Sequence, residues 1–376
     1  MNHLLRRQWL KMAALALLCL GLLSRPQAAA QGFADGARLC VGSLLPALFP
    51  FMVVCELLVG MALPKALLRP QARLLGLQSE DTAAALLASW LGGYAVCARL
   101  TAQLRAAGRI SARDAALLMM LGCCSGPGFV VGYIGGLLLG STSLGALLYA
   151  GQLAANLLAA GLCLPMLPKA DAHGVREVPC KKEKQEISLP TAISSAASTC
   201  LDLCGCVIFF RVAAGVLLSV APLPDSAAAC VSAACEITAG CAAFAALGGK
   251  AALYGICLAM SLLGFSVWGQ LRLLLQGRVP MRMLAISRLL HAVLFPLLVR
   301  LLRGVNLIPL VGGANRLLGL VLGLVTGAFD CWLLALLLWF AASITTGQID
   351  WLTTGVLQRS VGYSLFGAFN PFLLHY

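Results

Sequence analysis

A segment that should interrupt a helix lies inside an apolar stretch of this sequence, where residues 121–132 read Leu-Gly-Cys-Cys-Ser-Gly-Pro-Gly-Phe-Val-Val-Gly. The surrounding run, Ala115–Leu139, carries no charge and is long enough to cross a bilayer. Pro127 removes a backbone N–H and frees a carbonyl one turn earlier, and the glycines beside it lower the helix propensity further. Because freed backbone groups are costly in hydrocarbon, a helix broken at membrane depth is how transporters commonly build a ligand site. A proline kink that only shapes helix packing is the alternative.

This break offers backbone N–H and C=O groups, one hydroxyl and two thiols in the middle of the apolar run. A half-helix that begins near Gly128 would favour an anionic ligand group, because the positive end of its dipole points at the break. The candidate substrate-binding residues of this segment are Cys123, Cys124, Ser125, Gly126 and Pro127.

Acidic residues inside apolar segments are the second kind of candidate, since a buried carboxylate is expensive and usually functional. Glu236 opens the sequence Glu-Ile-Thr-Ala-Gly within an apolar run of small residues, so Glu236, Thr238 and Gly240 are predicted to bind substrate. A structural ion pair, or a protonated acid that donates a hydrogen bond, is the alternative for Glu236. Glu56, Asp202 and Glu236 are candidate coupling acids, although Asp202 could instead pair with a basic residue on its own helix face.

Two shorter segments carry further candidates. The apolar run Thr82–Ala98 is interrupted by Gly-Gly-Tyr, which suits the tip of a hairpin, whereas the tyrosine alone would also suit a membrane interface. A serine and a glutamine lie four residues apart on one later helix face, where they would either line a cavity or hold two helices together. These candidate substrate-binding residues are Gly92, Gly93, Tyr94, Ser266 and Gln270.

The composition is that of a polytopic membrane protein with an all-α fold. Of the 376 residues, 60% are hydrophobic and 11% are charged, and the mean hydropathy is +0.92. The net charge of +13 comes from Lys and Arg in short segments between apolar runs, which indicates membrane topology rather than nucleic-acid binding. The expected partners are therefore the lipid bilayer and a small-molecule substrate, with no nucleic acid, and a homo-oligomer is a further candidate.

The residue patterns that would indicate an enzyme or a cofactor are missing from the sequence. Most of the 16 cysteines lie within apolar segments, where they behave as small buried residues, and the four histidines are scattered without zinc-site spacing. We find no phosphate-binding loop, no dinucleotide-binding glycine pattern and no serine–histidine or paired-acid arrangement. The sequence thus predicts no metal, no cofactor and no enzymatic activity.

Charge and hydropathy divide the chain into five parts. A short apolar run after basic residues predicts an N-terminal signal-anchor span, although a cleaved signal peptide is the alternative. Two similar halves follow, joined by a basic linker that faces the cytoplasm, and the remaining residues form C-terminal spans and an interfacial tail. The predicted parts are 1–31 for the signal-anchor, 32–167 and 190–280 for the two repeats, 168–189 for the linker, and 281–376 for the C-terminal region.

The arginine count predicts that Thr82–Ala98 is a re-entrant hairpin. Basic segments flank it at residues 65–73 and 99–113, and both should lie in the cytoplasm. A full crossing would place one of them outside, whereas a hairpin that enters and leaves on the cytoplasmic side keeps both inside. The second half repeats this plan from the opposite face, which predicts an inverted-topology repeat with two re-entrant hairpins and interrupted helices. Arg300, Arg303 and Arg316 fall outside on this count.

Five motifs in order resemble those of the nucleoside-recognition (Gate) domain membrane proteins, most closely the sporulation integral membrane protein YlbJ family. They cover residues 32–288 approximately. The motifs are Leu45-Pro-Ala-Leu-Phe-Pro-Phe with Glu56-Leu-Leu, Gly93-Tyr94 with Ala98-Arg99-Leu-Thr, Ser125-Gly-Pro with Phe129 and Gly132, Glu236-Ile-Thr-x-Gly240, and Gly264 to Gln270.

The resemblance implies a function in endospore formation and movement of dipicolinate across the outer forespore membrane. It also implies likeness to concentrative nucleoside transporters and to the membrane part of ferrous-iron transporters. This chain departs from the family pattern in two places: Gly92 and Ala95 stand where the family has serine and proline, and Cys123-Cys124 stands where it has two asparagines. Thiols are weak hydrogen-bond donors, so these departures bear on substrate identity. A non-transporting sporulation scaffold and a nucleoside transporter remain the alternative functions.

Overall fold

The computed structural model describes residues 2–60, 65–167, 188–220 and 223–306, together with scattered positions between 324 and 363. It divides the chain into a unit of residues 1–302 and a unit of residues 303–376. Most of the predicted linker 168–189, and most of the predicted C-terminal spans and tail, lie outside the described residues. All the regular structure in the described part is helical.

The first unit is built from thirteen helices, with two π-helical segments and one short 3-10 segment among the described residues. The π-helical segments are Cys40–Leu44 and Gly128–Leu138, and the 3-10 segment is Leu164–Met166. The helices are α1 Asn2–Ser24, α2 Pro26–Leu39, α3 Leu45–Gly60, α4 Lys65–Leu74, α5 Glu80–Ala106, α6 Ala112–Gly122, α7 Thr142–Cys163, α8 Leu189–Val220, α9 Asp225–Cys235, α10 Ile237–Leu247, α11 Gly249–Leu262, α12 Gly264–Leu275 and α13 Arg282–Asn306.

The second unit contains the short helix α14, Thr354–Leu357, among its described residues. Ala342 and Leu357 are buried there against Leu338, Ala341 and Tyr363.

Five helical segments in the described part are long and apolar enough to cross a membrane. They are Glu80–Ala106, Thr142–Met166, Leu189–Val220, Gly249–Leu275 and Arg282–Gly304.

Helix α13 carries polar side chains on its buried face and apolar side chains on its exposed face. Its inward face carries Arg288 and His291, which are 2% and 1% exposed. Its outward face carries four apolar residues that are each 56% to 64% exposed: Leu289, Val293, Leu297 and Leu301. Such a helix is stable in lipid and costly in water. The prediction of an α-helical integral membrane protein is therefore confirmed.

The 27-residue helix α5 doubles back on itself at Gly93, whose φ of 82° and ψ of −170° are not helical. The two ends of α5 are held together. Just after α5 ends, Arg109 donates a hydrogen bond from its Nε to the carboxylate of Asp81, near the start of α5, at 2.9 Å. The Thr82 hydroxyl donates to the Asp114 carboxylate, at the start of α6, at 2.7 Å. A straight helix of this length would hold those ends about 40 Å apart, so α5 is a hairpin, which we call the first hairpin.

A second hairpin is formed by α9 and α10, with Glu236 at its tip. The chain is extended at Glu236, where φ is −149° and ψ is 125°. A Cβ added to Gly240 would lie 2.3 Å from the Ala233 Cα, so the two helices touch closely just beyond the tip. This contact requires the chain to reverse direction between them.

An interrupted helix follows each hairpin. After the first hairpin, α6 ends at Gly122 and the π-helical segment begins at Gly128, which leaves residues 123–127 as the first break. After the second, α11 ends at Leu262 and α12 begins at Gly264, and the left-handed conformation of Leu263 (φ 69°) forms the second break. Each of the two hairpins is therefore followed along the chain by one interrupted helix.

The long helices that precede the two hairpins run antiparallel to each other. Gly32 of α2 packs against Val212 of α8, and Gly36, one turn later, packs against Ile208, one turn earlier. A Cβ on either glycine would approach the opposite backbone to within 3.0 Å, so small residues are needed for this contact. Helix α2 begins at Pro26, a residue suited to the first helical turn, and runs to Leu39. The boundary predicted between residues 31 and 32 therefore falls inside this helix.

Candidate functional site

A small cavity lies where both hairpins and both interrupted helices meet. Its walls come from the two π-helical segments, α3, the first hairpin, the first break, α8, α10 and α12. The lining residues are Leu44, Leu48, Met52, Gly92, Gly93, Tyr94, Ala95, Ser125, Gly126, Phe129, Leu203, Val207, Thr238 and Gln270. Seven of them were predicted from the sequence as substrate-binding residues: Gly92, Gly93, Tyr94, Ser125, Gly126, Thr238 and Gln270.

The tip of the first hairpin packs directly on the first break. A Cβ on Gly126 would lie 2.8 Å from the Leu91 carbonyl oxygen, and one on Gly93 would lie 3.1 Å from the Gly126 nitrogen. Gly93 also has positive φ, which disfavours other residues. The Gly-Gly and Gly-Pro-Gly sequences therefore allow two backbones to touch at the edge of the cavity.

Two side chains of α7 satisfy the backbone groups that the first break frees. Gln152 accepts a hydrogen bond from the Ser125 nitrogen at 3.3 Å and donates one to the Ser125 oxygen at 2.7 Å. Asn156, one turn further along α7, donates to the Leu121 oxygen at 3.2 Å. The Trp90 indole N–H, from the first hairpin, donates to the same oxygen at 3.1 Å. Breaking the helix costs little because these donors and acceptors are already in place.

A buried positive charge stands behind the first break. Arg288 of α13 donates a hydrogen bond to the Asn156 side-chain oxygen. Its neighbour His291 contacts the Ser261 hydroxyl at 2.8 Å and the Gln152 carbonyl oxygen at 3.2 Å. No acidic side chain pairs with Arg288 in the part of the chain that the structure describes. Within the described ranges, Arg288 is therefore a buried cation that forms no ion pair.

Two cavity-lining oxygens lack hydrogen-bond partners. Across the described residues, the buried side-chain polar atoms without a partner are Ser125 Oγ, Gln270 Oε1 and Arg288 Nε. The first two belong to residues that line the cavity, one from the first break and one from α12. Buried polar groups are nearly always paired, so an unpaired hydroxyl and an unpaired amide oxygen at one cavity indicate a site that a polar ligand or water completes.

Glu236 has a structural role at the tip of the second hairpin. Its carboxylate oxygens accept hydrogen bonds from the Thr238 nitrogen at 2.9 Å and the Ala239 nitrogen at 2.7 Å, so it caps the N-terminus of α10. Glu236 is 1% exposed and does not line the cavity, whereas Thr238 does. The second hairpin thus presents a threonine to the cavity, and its acid holds the turn.

The remaining predicted residues are placed around this centre. Cys123 and Cys124 are buried within the first break, and Pro127 ends the break as the N-terminal cap of the π-helical segment. Gly240 packs on α9, and buried Ser266 accepts a hydrogen bond from Gln270 at 3.1 Å. These five residues support the cavity without being part of its lining.

The two other candidate coupling acids lie away from the cavity. Glu56 forms an ion pair with Arg99 at 2.6 Å, between α3 and the first hairpin. Asp202 is exposed on α8, and no ion pair joins it to Arg211 among the described residues.

The sequence interpretation did not select Gln152, Asn156, Arg288 or His291. A signal for the first two was present, because they lie four residues apart on one helix face inside an apolar run. Arg288 was assigned to the basic segments that indicate topology, since it follows three other arginines closely in the sequence. Its burial depends on which face of α13 turns inward, and that is a tertiary property.

The cavity is too small for a metabolite in this conformation. The space open to the centre of a water molecule is about 30 Å³, room for about two waters. Its walls must separate before a larger ligand can bind.

Fold and site together define an α-helical integral membrane protein with a polar centre built from two hairpins and two interrupted helices. Comparison of the chain with protein-family models, curated proteins and solved structures finds no match. The function is therefore argued from the site itself.

Proposed function

We propose that this protein is a membrane transporter or facilitator of a small, polar, anionic metabolite. The observation that carries the proposal is the cavity at which both hairpins and both interrupted helices meet. It holds two side-chain oxygens without partners, one from each half. Transporters commonly place their substrate between two repeats at broken helices, where backbone and side-chain groups can face a ligand.

The lengths of the half-helices favour a site near the middle of the bilayer. At about 1.5 Å per residue, the 11 residues of each of α6, α9 and α10 cover about 17 Å. That is roughly half of the ~30 Å hydrocarbon core. Hairpins that enter from opposite faces would meet at this depth. The antiparallel packing of α2 on α8 supports the same arrangement, an inverted-topology repeat with two re-entrant hairpins.

The charge of the site favours an anion over a neutral nucleoside. Arg288 supplies a buried positive charge behind the first break, and the π-helical segment begins at Gly128, next to the lining residue Gly126. Both would stabilise a carboxylate at the cavity. A dipicolinate-like metabolite, moved during endospore formation across the mother-cell or outer forespore membrane, is the candidate that the resemblance to the YlbJ family implies.

Uptake into proteoliposomes tests the proposal. We expect the purified protein to move dipicolinate or a related dicarboxylate, and not nucleosides. Ser125→Ala and Gln270→Leu should each lower this uptake by about tenfold or more, since each removes a group that faces the cavity. Ser143→Ala, at an exposed serine of α7, is the matched control and should behave as the wild type.

Two results would contradict the proposal. Uptake of nucleosides in place of dicarboxylates would show that the substrate is a neutral nucleoside and not an anion. Absence of uptake across a broad panel, with the protein correctly inserted, would favour a non-transporting membrane scaffold.

A further inference from the structure

We propose that Arg99 and a row of α8 hydroxyls form a second, peripheral site for the carboxylate of a soluble substrate, in an open depression at the basic end of the molecule. This inference builds on the proposed function, because the site would receive the anion before it reaches the central cavity.

The depression has the size and the chemistry of an anion-receiving vestibule. Its volume is about 580 Å³, much larger than the closed central cavity. Serine and threonine hydroxyls from successive turns of α8 line one wall: Thr191, Ser194, Ser195, Ser198 and Thr199. The spacing of three and four residues places these hydroxyls on one face of the helix, towards Arg99. Hydroxyl donors around a guanidinium suit a carboxylate.

Arg99 is occupied by an internal carboxylate in this conformation. Its Nη1 lies 2.6 Å from Glu56 Oε1 and donates to the Thr199 hydroxyl at 3.0 Å, and its Nη2 donates to the Ser195 hydroxyl. The Arg99 and Glu56 side chains are 23% and 15% exposed, so the pair is largely shielded from water. A ligand carboxylate can take the place of Glu56, and the two carboxylates therefore compete for one guanidinium.

The vestibule and the central cavity lie along the same helix faces. On α3, Glu56 at the vestibule is followed towards the cavity by Met52, one turn away. On α8, Thr199 at the vestibule is followed by Cys200 and then by Leu203, which lines the cavity. The Met52 and Cys200 sulfur atoms are 3.6 Å apart, and both residues are buried. Along α8, this contact lies between Thr199 at the vestibule and Leu203 at the cavity.

The vestibule opens on the side that carries the basic segments. Arg99 belongs to the half of α5 that leads to Arg105 and Arg109, and Glu56 lies near the end of α3 that precedes the basic helix α4. By the distribution of positive charge this is the cytoplasmic side. An anion would therefore enter the vestibule from the cytoplasm. Its binding would release Glu56 and loosen the link between α3 and the first hairpin.

The rates at which charged reagents modify a cysteine in the vestibule measure its preference for anions, and this measurement does not require transport. In Ser198→Cys, the rate of modification is compared between anionic sulfonatoethyl methanethiosulfonate and cationic trimethylammonioethyl methanethiosulfonate, with the unsubstituted protein as the blank. We expect the anionic reagent to react at least about fivefold faster, and millimolar dipicolinate, but not its neutral diamide, to slow it. Ser143→Cys, at an exposed position outside the depression, should show neither effect.

Charge variants test whether the preference for the anionic reagent comes from Arg99 or from the general electrostatic potential of the surface. In the Ser198→Cys protein, Glu56→Gln should raise the preference for the anionic reagent, Arg99→Gln should abolish it, and Arg99→Lys should retain it. Equal rates for both reagents, or a preference unaffected by Arg99→Gln, would overturn the proposal. So would protection by phosphatidylglycerol vesicles without protection by dipicolinate, which would indicate a lipid-headgroup site.

This experiment and the uptake assay can fail separately. A vestibule preference in a protein that transports nothing would contradict the proposed function alone. Uptake of dicarboxylate by a protein whose Ser198→Cys form shows no charge preference would contradict the vestibule alone.

Discussion

Among the buried polar side chains of this protein, some hold the backbone breaks and others are left open to the cavity. Gln152 and Glu236 belong to the first group, because each bonds backbone groups that a helix end or break leaves free. Ser125 and Gln270 belong to the second, because each lines the cavity with an oxygen that has no partner. Substitutions in the two groups should therefore have different consequences.

Glu236 should tolerate glutamine better than alanine. Glutamine keeps an acceptor oxygen for the first turn of α10, whereas alanine removes the cap, a loss of about 1 kcal/mol. We expect Glu236→Gln to retain uptake within about threefold of the wild type and Glu236→Ala to lower the melting temperature. Uptake driven by a pH gradient and thermal unfolding in detergent are the measurements. If Glu236→Gln abolished accumulation driven by the pH gradient but kept substrate exchange, Glu236 would be a proton carrier.

Arg288 should contribute through its charge. Arg288→Lys keeps a cation behind the first break, whereas Arg288→Gln keeps a hydrogen-bond donor for Asn156 and removes the charge. We expect the glutamine variant to lower dicarboxylate uptake about tenfold, equivalent to about 1.4 kcal/mol, and the lysine variant to lower it less. Initial uptake rates at matched protein levels give the comparison. Equal loss in both variants would mean that the geometry of the guanidinium matters and its charge does not.

At the level of the elements, each hairpin touches the break that follows it through glycine. In the first half a Cβ on Gly126 would lie 2.8 Å from the Leu91 oxygen, and in the second half a Cβ on Gly264 would lie 2.8 Å from the Ala233 oxygen. In both cases a glycine at or next to the break lies against a backbone oxygen from the first arm of the hairpin.

Adding a methyl group at these contacts should separate the tips from the breaks. We expect Gly126→Ala and Gly264→Ala each to lower uptake about tenfold or more, because backbone atoms have to move. The controls are Gly132→Ala, in the π-helical segment that follows Gly126, and Gly269→Ala, in α12 with Gly264. Both glycines have open space around them, and both variants should transport normally. Normal uptake in the first pair would show that the hairpins do not need this close approach.

On the scale of the whole molecule, the repeat predicts which ends of the helices share a side. In the proposed inverted repeat, the first hairpin returns to the side of the membrane from which it enters, and α6 with the π-helical segment then crosses. Single cysteines at Arg73, Ala107 and Arg278 should react with an impermeant maleimide only after the cells are permeabilised. Cysteines at Thr142 and Lys250 should react in intact cells. Labelling of positions 73 and 107 on opposite sides would make α5 a full crossing and remove the inverted repeat.

Closure of the cavity on the vestibule side should depend on the Met52–Cys200 contact. A Met52→Cys substitution places a thiol opposite Cys200, where a short dithiol-bridging reagent can join α3 to α8. We expect the reagent to stop uptake, because the joined helices can no longer separate, and reductive release of the bridge to restore it. The Met52→Cys, Cys200→Ser protein should not respond to the reagent. Unchanged uptake by the bridged protein would place the moving boundary elsewhere.

Local sequence determined the class of protein, the segments that break and seven of the residues that line the cavity. The hydropathy of a segment depends on its own residues alone, so a long apolar run predicts a membrane helix whatever surrounds it. A Gly-Pro-Gly or Gly-Gly pair likewise disfavours a continuous helix through its own backbone. The arginine count predicted a re-entrant hairpin at Thr82–Ala98. Helix α5 doubles back at Gly93 within that segment, and re-entry from the cytoplasmic side stays a prediction.

Tertiary structure decided the partners and roles of the polar residues. Arg288 meets Asn156, and Gln152 meets Ser125, across long chain separations that no local pattern records. The sequence predicted Glu236 as a substrate-binding residue because a buried acid needs a partner. In the structure, two backbone N–H groups in the first turn of α10 are its partners. Which face of a helix turns inward, and which atom it then finds, depends on the packing of all the helices together.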